Sequence, residues 1–190
     1  MGYADIGHAH IGYARIRCGR IGRVCLHAAG AFALFGFAML APSASAARDT
    51  VHLSGYSAGT IVVKTSQRRL YYFVDGDTAI QYPVGVGKAG MAWSGTAYIK
   101  GKYLKPAWSP PAIIRRENPR IANVIASGSS ANPMGAAAMT LSAGQYAIHG
   151  TNNPGSIGGF VSHGCIRMLN SDILDLYERV GVGTKVVVLP

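Results

Sequence analysis

Ser162-His163-Gly164-Cys165-Ile166-Arg167-Met168, preceded by His149-Gly150-Thr151, is the stretch that decides the fold and points to the chemistry of this chain. Cys165 is the only cysteine beyond residue 25. A single thiol cannot form an internal disulfide, so it is either an inert buried side chain or a reactive one. The histidines and glycines around Cys165 favour the reactive alternative and predict a site with this thiol as nucleophile.

The first 46 residues have the pattern of a cleavable signal peptide. Four arginines between residues 15 and 23 precede an apolar run over residues 28–41, and Ala44 and Ala46 provide an A-x-A cleavage site. The run is too short to span a bilayer. An uncleaved anchor or a buried helix is the alternative interpretation. Cleavage after Ala46 would remove Cys18 and Cys25, and it predicts a periplasmic or cell-envelope protein without a stable membrane anchor.

Residues 47–190 then have the length of one ordinary domain. In this part Lys and Arg outnumber Asp and Glu by 14 to 7, which favours an anionic partner. Outside the cytoplasm that partner is envelope material and not nucleic acid. A basic surface without any partner is the alternative.

The pattern after residue 60 is mainly that of β-strands. Residues 47–59 are small and polar, and they predict a short linker or irregular segment before a domain over residues 60–190. Runs rich in β-branched and aromatic residues, separated by turn signals, predict a meander of strands. The predicted strands cover residues 60–64, 69–74, 78–86, 95–104, 136–141, 146–149 and 184–189.

Two helices are expected among these strands. Residues 112–126 could hold one short helix, and prolines exclude helix from residues 106–111. The clearer helix follows the Cys165 segment, with Asn170 as N-cap, Asp172 in the first turn and Gly181 beyond the end. Together these elements predict a mainly β domain, with His149 at the end of a strand.

The neighbouring histidines decide how Cys165 could react. A cysteine reacts as its thiolate, and an imidazole that accepts the proton makes a thiolate–imidazolium pair available near neutral pH. His149 is the preferred partner, because a strand, loop, strand return can bring it to the sulfur. His163 is the second choice, since two residues away on an extended segment it shares a face with Cys165 without necessarily reaching it.

The remaining residues of the motif complete an acyl-transfer site. Gly164 lets its own amide and that of Cys165 approach a developing oxyanion. The backbone carbonyl of Gly150 is the simplest group to hold the second nitrogen of His149. Ser162 could add a hydroxyl contact, and Arg167 could bind a substrate carboxylate with both arms of its guanidinium.

A zinc site is the alternative use of these side chains. His149, His163 and Cys165 would supply three ligands and leave an open position, as in catalytic zinc centres. The spacing contains no familiar ligand pair, however, and a single cysteine in an oxidising compartment does not argue for zinc. We therefore expect neither a metal nor another cofactor.

The motif His149-Gly150-Thr151 with Ser162-His163-Gly164-Cys165-Ile166-Arg167-Met168 resembles the signature of L,D-transpeptidases with a YkuD-type catalytic domain. The similarity extends from about residue 60 to residue 189. It includes Trp93-Ser94-Gly95-Thr96, Pro110-Pro111 and Asn132-Pro133-Met134-Gly135. The resemblance implies a β-sandwich-like domain with Cys165 as nucleophile, His149 as base and Gly150 orienting that base.

The resemblance also implies a peptidoglycan substrate. Cys165 would attack the amide after the third residue of a stem peptide, release the terminal D-Ala and pass the acyl group to an amine. That amine would belong to a diaminopimelate in another stem, giving a 3–3 cross-link, or to a lysine of an envelope lipoprotein. An L,D-carboxypeptidase or cysteine amidase that uses water, and a noncatalytic envelope-binding domain, are the rival functions.

Overall fold

The computed structural model describes residues 48–190 as an eleven-stranded domain with two helices. The strands are β1 (Asp49–His52), β2 (Ile61–Lys64), β3 (Arg69–Phe73), β4 (Thr78–Pro83), β5 (Val86–Gly87), β6 (Gly95–Leu104), β7 (Ala137–Leu141), β8 (Ala147–His149), β9 (Phe160–Ser162), β10 (Ile166–Arg167) and β11 (Lys185–Leu189). The helices are α1 (Ala112–Glu117) and α2 (Asn170–Arg179). The predicted signal peptide, with Cys18 and Cys25, lies outside the described residues.

Nine strands form one sheet, in the order β1-β4-β3-β2-β11-β6-β7-β8-β10, and β5 pairs with β9 in a small second sheet. The first part is the predicted antiparallel meander, with β11 added in parallel to β2. The ten-residue β6 pairs with β11 through its first half and with β7 through its second half, and its register shifts between Ile99 and Gly101. A single long strand therefore joins the two parts of the sheet.

The hydrophobic core lies between the two parts of the nine-stranded sheet. Alternate residues of the strands point into it, as the period of two requires, and α2 adds Ile173 and Leu176. Both of these side chains are fully buried, and each contributes roughly 1.5–3 kcal/mol of burial free energy. A smaller cluster around Val62 and Phe73 covers the opposite face of the meander. The mainly β, sandwich-like fold predicted from the sequence is confirmed.

Strand β1 corrects the prediction of an irregular linker over residues 47–59. Asp49–His52 pair antiparallel with β4 at the edge of the sheet. Three of these four residues are exposed, so they lack the apolar alternation that marks a strand in a sequence. The free edge of β4 provides the hydrogen bonds, and that edge exists only after the meander has folded.

The predicted third strand also changes partner before it ends. It leaves β3 after Pro83, and Gly85 exchanges two backbone hydrogen bonds with Arg167, at 2.9 and 2.8 Å. Val86 then pairs with Phe160. Gly85 and Val86, at the end of the predicted strand, thus hold the segment that contains Cys165.

Helix α1 agrees with the short helix predicted within residues 112–126, whereas the start of α2 differs from its prediction. Helix α1 covers only Ala112–Glu117 and buries none of its residues. Helix α2 has Leu169 as N-cap, so the prediction for Asn170 is wrong. The Asn170 side chain turns away from its helix and bonds to Ala136 and Thr151 instead. Within the described part of the chain, neither helix has the length and apolar character needed to cross a membrane.

Candidate active site

The parallel pair β8 and β10 brings His149 and Cys165 to one groove. Arg167 lies opposite His149 in the register, and Cys165 immediately precedes β10. Side chains two residues apart on an extended segment share a face, so Cys165 and Arg167 both face the groove that His149 lines. The groove has a volume of about 850 Å³. The two residues predicted to act together therefore line the same groove.

His149 is buried and held by one hydrogen bond. Its Nδ1 lies 2.7 Å from the carbonyl oxygen of Gly150, the bond that the sequence predicted. A carbonyl can only accept, so Nδ1 carries the proton and Nε2 keeps its lone pair. The imidazole is thus in the tautomer that can take a proton through Nε2.

Burial keeps the thiol and the imidazole neutral. It raises the pKa of Cys165, with the Ala147 backbone and Arg167 acting in the other direction. Burial lowers the pKa of His149 to about 4, with a smaller contribution from the charge of Arg167, and contacts with the Gly150 and Pro133 backbone offset only part of this. Both shifts disfavour charge. They disagree with the predicted thiolate–imidazolium pair and indicate a neutral pair in the free protein.

The turn before Cys165 is held by Ser162. The Ser162 hydroxyl donates to the carbonyl of Cys165 at 2.6 Å and accepts from the amide of Gly164 at 3.1 Å. Both groups are therefore already engaged. In the free protein these bonds occupy the Ser162 hydroxyl and the Gly164 amide, and the functions predicted for the two residues toward a substrate remain predictions. The amide of Cys165 makes no hydrogen bond within residues 48–190 and remains as a donor.

Gly164 has another function in the fold. Its φ is +113°, a conformation that favours glycine, and a Cβ here would overlap the ring of Tyr146. Its carbonyl accepts from Nε1 of Trp93 at 3.0 Å. Trp93 stacks on Tyr146 with ring centroids 5.0 Å apart. Reasoning from the catalytic motif missed Tyr146, because nothing in the motif points to a residue nineteen positions before Cys165.

His163 makes its side-chain contact with Glu117 of α1. Its Nε2 contacts the two carboxylate oxygens of Glu117 at 3.0 and 2.9 Å, and Lys88 lies 3.6 Å from the same carboxylate. His163 therefore connects the motif to α1. The alternative zinc site is not assembled, and no cluster of metal-ligating side chains occurs among the residues that the structure describes.

Arg167 presents a guanidinium to the groove without a carboxylate beside it. Its backbone is fixed to Gly85, and its Nε is buried without a hydrogen-bond partner. It takes part in no ion pair with any residue from 48 to 190. A half-buried guanidinium of this kind favours an anionic ligand, in agreement with the carboxylate-binding function predicted for Arg167.

The opposite side of the groove is the long connection between β6 and β7, residues 105–136, which we call the loop wall. It contributes Pro110, Pro111 and the residues at the start of α1. The buried side chain of Asn132 donates hydrogen bonds to the carbonyls of Pro106 and Ala126 at 2.8 and 3.1 Å, and it thereby joins separate segments of this wall. Trp108 and Ile125 exchange two backbone bonds across it. We call β8 together with residues 162–167 the sheet wall.

Comparisons with known proteins identify the family of this domain. The family model of the L,D-transpeptidase catalytic domain, YkuD, matches residues 58–188. The probable L,D-transpeptidase YbiS of Escherichia coli K12 is 39% identical over 147 residues, which are 73% of this chain and 45% of that protein. The chain thus spans about half the length of the curated relatives it matches.

Solved structures extend the comparison. L,D-transpeptidase 3 of Mycobacterium tuberculosis has a TM-score of 0.58 at 16% identity, over 69% of this chain and 60% of that one, and shows the fold alone. A Brucella melitensis protein described as a probable carnitine operon oxidoreductase is 38% identical, with a TM-score of 0.50 over 75% of this chain and 93% of that one. The match over residues 58–188 shows that this chain belongs to the YkuD family of L,D-transpeptidase catalytic domains.

Proposed function

We propose that this protein is a cysteine-dependent L,D-transpeptidase acting on peptidoglycan stem peptides. The observation that carries the proposal is the meeting of Cys165 and His149 in one groove, with Nδ1 of His149 bonded to Gly150 and its Nε2 left as a base. The family supports the reaction class. The unpaired guanidinium of Arg167 supports a substrate with a carboxylate near the reacting bond.

The first half of the reaction forms a thioester. His149 Nε2 takes the proton of the Cys165 thiol as the sulfur attacks the carbonyl carbon of the third stem residue. The carbonyl oxygen becomes negative and is stabilised by the Cys165 amide. The C–N bond then breaks, and the departing amine of the terminal D-Ala takes the proton back from His149. Proton transfer during the attack suits a pair that is neutral beforehand.

The second half transfers the acyl group. An acceptor amine loses its proton to His149 Nε2 as it attacks the thioester carbon, and the Cys165 sulfur leaves and is reprotonated by the imidazolium. A diaminopimelate amine would give a 3–3 cross-link, and a lysine amine would attach an envelope lipoprotein. Water in the same position would make the enzyme an L,D-carboxypeptidase or cysteine amidase.

This function places the protein in the cell envelope. The predicted signal peptide over residues 1–46 would export the chain, and cleavage would leave no stable anchor. The excess of Lys and Arg over Asp and Glu in residues 47–190 suits an anionic wall polymer. Separation of the periplasmic from the cytoplasmic fraction, with an epitope at the C-terminus, would test export, and retention in the cytoplasm would contradict it.

Thiol acylation tests the proposed chemistry directly. Incubation with a carbapenem should add one inhibitor mass to the intact protein, and the Cys165→Ala variant should remain unmodified. A folded wild-type protein that gains no mass would contradict the enzymatic function and favour a noncatalytic binding domain.

A second measurement separates transfer from hydrolysis. Incubation with a disaccharide tetrapeptide should yield cross-linked dimers, whereas tripeptide without dimers would favour the hydrolytic alternative. Adding a free diaminopimelate-containing stem as acceptor controls for acceptor supply.

A further inference from the structure

Asn170 makes three hydrogen bonds behind the candidate active site. Its Oδ1 accepts from the amides of Ala136 and Thr151 at 2.9 and 3.1 Å, and its Nδ2 donates to the carbonyl of Thr151 at 3.0 Å. One side chain at the start of α2 thus holds residues from the loop wall and from the end of β8. The proposed reaction does not use Asn170 itself.

Two glycines make room for this side chain. A Cβ on Gly135 or on Gly150 would overlap Asn170 Oδ1. Gly135 also has a φ of +64°, whereas Gly150 has no such conformational requirement. Any residue at position 150 could supply a carbonyl to His149. The close approach of Asn170 therefore explains why position 150 carries glycine.

The peptide plane between Gly150 and Thr151 connects Asn170 to the base. A trans peptide is planar and directs its C=O and its N–H to opposite sides. The Thr151 N–H of this plane donates to Asn170, so the Gly150 C=O points the other way, where it accepts from His149 Nδ1 at 2.7 Å. The Gly150 amide is held separately by Ala137 at 2.9 Å. Rotating this plane would move the group that orients the imidazole.

We propose that Asn170 is a positioning residue for catalysis, which orients His149 by anchoring the Gly150–Thr151 peptide plane. The inference rests on the proposed function, because it assigns His149 the role of base. It adds a residue that touches neither the substrate nor the reacting atoms. Its effect should therefore appear in the rate of the acylation step and not in binding.

The test compares single variants in the full chain by the rate of carbapenem acylation. Asn170→Ala should lower the maximal rate by about tenfold to a hundredfold, the range expected when a reacting group is misplaced by an ångström or so. The carbapenem concentration for half-maximal rate should stay unchanged. Asn123→Ala is the matched control, since it removes an exposed asparagine that neither lines the groove nor contacts Gly150.

Asn170→Asp tests the same idea without removing the acceptor. Aspartate keeps an oxygen for the Thr151 amide, so its maximal rate should be close to that of the wild type. A folded Asn170→Ala variant with a wild-type rate would overturn the inference, and so would an equal loss in Asn170→Asp. If the wild type itself is not acylated, the proposed function fails instead.

The pH profile provides a readout that a purely structural role would not move. The wild-type rate should decline only as the pH approaches the His149 pKa of about 4. A loosened, better hydrated imidazole in Asn170→Ala should move this decline to higher pH. The other ionisable side chains lining the groove are Cys165, Arg167, His163, Arg115 and Tyr146, and all five are unchanged in both Asn170 variants. An unmoved profile in Asn170→Ala would contradict the inference.

Discussion

The two walls of the groove are built in different ways. The sheet wall is held by the backbone pairing of β8 with β10 and of Gly85 with Arg167, which fixes His149, Cys165 and Arg167. The loop wall is tied by side chains such as Asn132 and by the contact of Glu117 with His163. Backbone ladders hold every residue along their length, whereas side-chain contacts hold single points. We therefore expect chemistry to depend on the sheet wall and access to depend on the loop wall.

The strongest test of this division compares the two histidines. His149→Gln should lower the rate of carbapenem acylation by about 10²- to 10⁴-fold, the contribution of a positioned general base. His163→Gln should leave the rate close to that of the wild type, because His163 faces Glu117. Intact mass against time measures both. Equal losses in the two variants would show that the loop-wall contact also serves the chemistry.

The pH dependence of the free energy of unfolding should also distinguish His149 from His163. The His149 pKa is about 4 in the folded protein and 6.5 without burial, so between these values the unfolded chain binds more protons. The free energy of unfolding should therefore decrease as the pH falls from 6.5 to 4, by about 3 kcal/mol in total. Urea denaturation at a series of pH values measures this.

The variants again serve as controls for this prediction. His149→Gln should flatten the pH dependence between 6.5 and 4, and His163→Gln should retain it. Asp175 has its pKa held below the usual range by a hydrogen bond from Arg179, so its stabilising effect is lost at still lower pH. An unchanged slope in His149→Gln would mean that another group titrates in this range.

Substrate binding should distinguish the arginines on the two walls. Arg167→Gln should weaken binding of a tetrapeptide substrate by about 2 kcal/mol, roughly thirtyfold, since a hydrogen bond to a charged group is lost. Arg115→Gln removes an exposed charge from the loop wall and should change binding much less. The KM of each variant provides the comparison. Similar increases would indicate a general attraction by positive charge instead of a specific contact.

The smallest effect is expected for Glu117→Gln. This change removes the ion pairs from Glu117 to His163 and Lys88, and pairs this exposed contribute little to stability. The Tm should barely change, while amide hydrogen exchange in α1 should increase. Glu178→Gln, an exposed change on α2, is the control. Unchanged exchange in α1 would show that other contacts of the loop wall hold this helix.

Much of the sheet wall could be predicted from local sequence. The strands follow runs of alternating apolar residues, and their predicted bounds differ from the observed ones by one or a few residues. The placement of His149 at a strand end and its bond to Gly150 were predicted as well. These features depend on residues close together in the chain, whose own periodicity reveals them.

Contacts between distant segments could not be predicted in this way. The sequence alone determined the mainly β fold and the family, and it predicted the pairing of a cysteine with a histidine. Only the tertiary structure decided that His163 contacts Glu117, that Ser162 occupies the Gly164 amide and that Asn170 holds the plane behind His149. It also formed β1, whose partner edge comes from another part of the chain. These contacts join residues that are far apart in the chain and meet only in the folded structure. The local periodicity of the sequence therefore does not predict them.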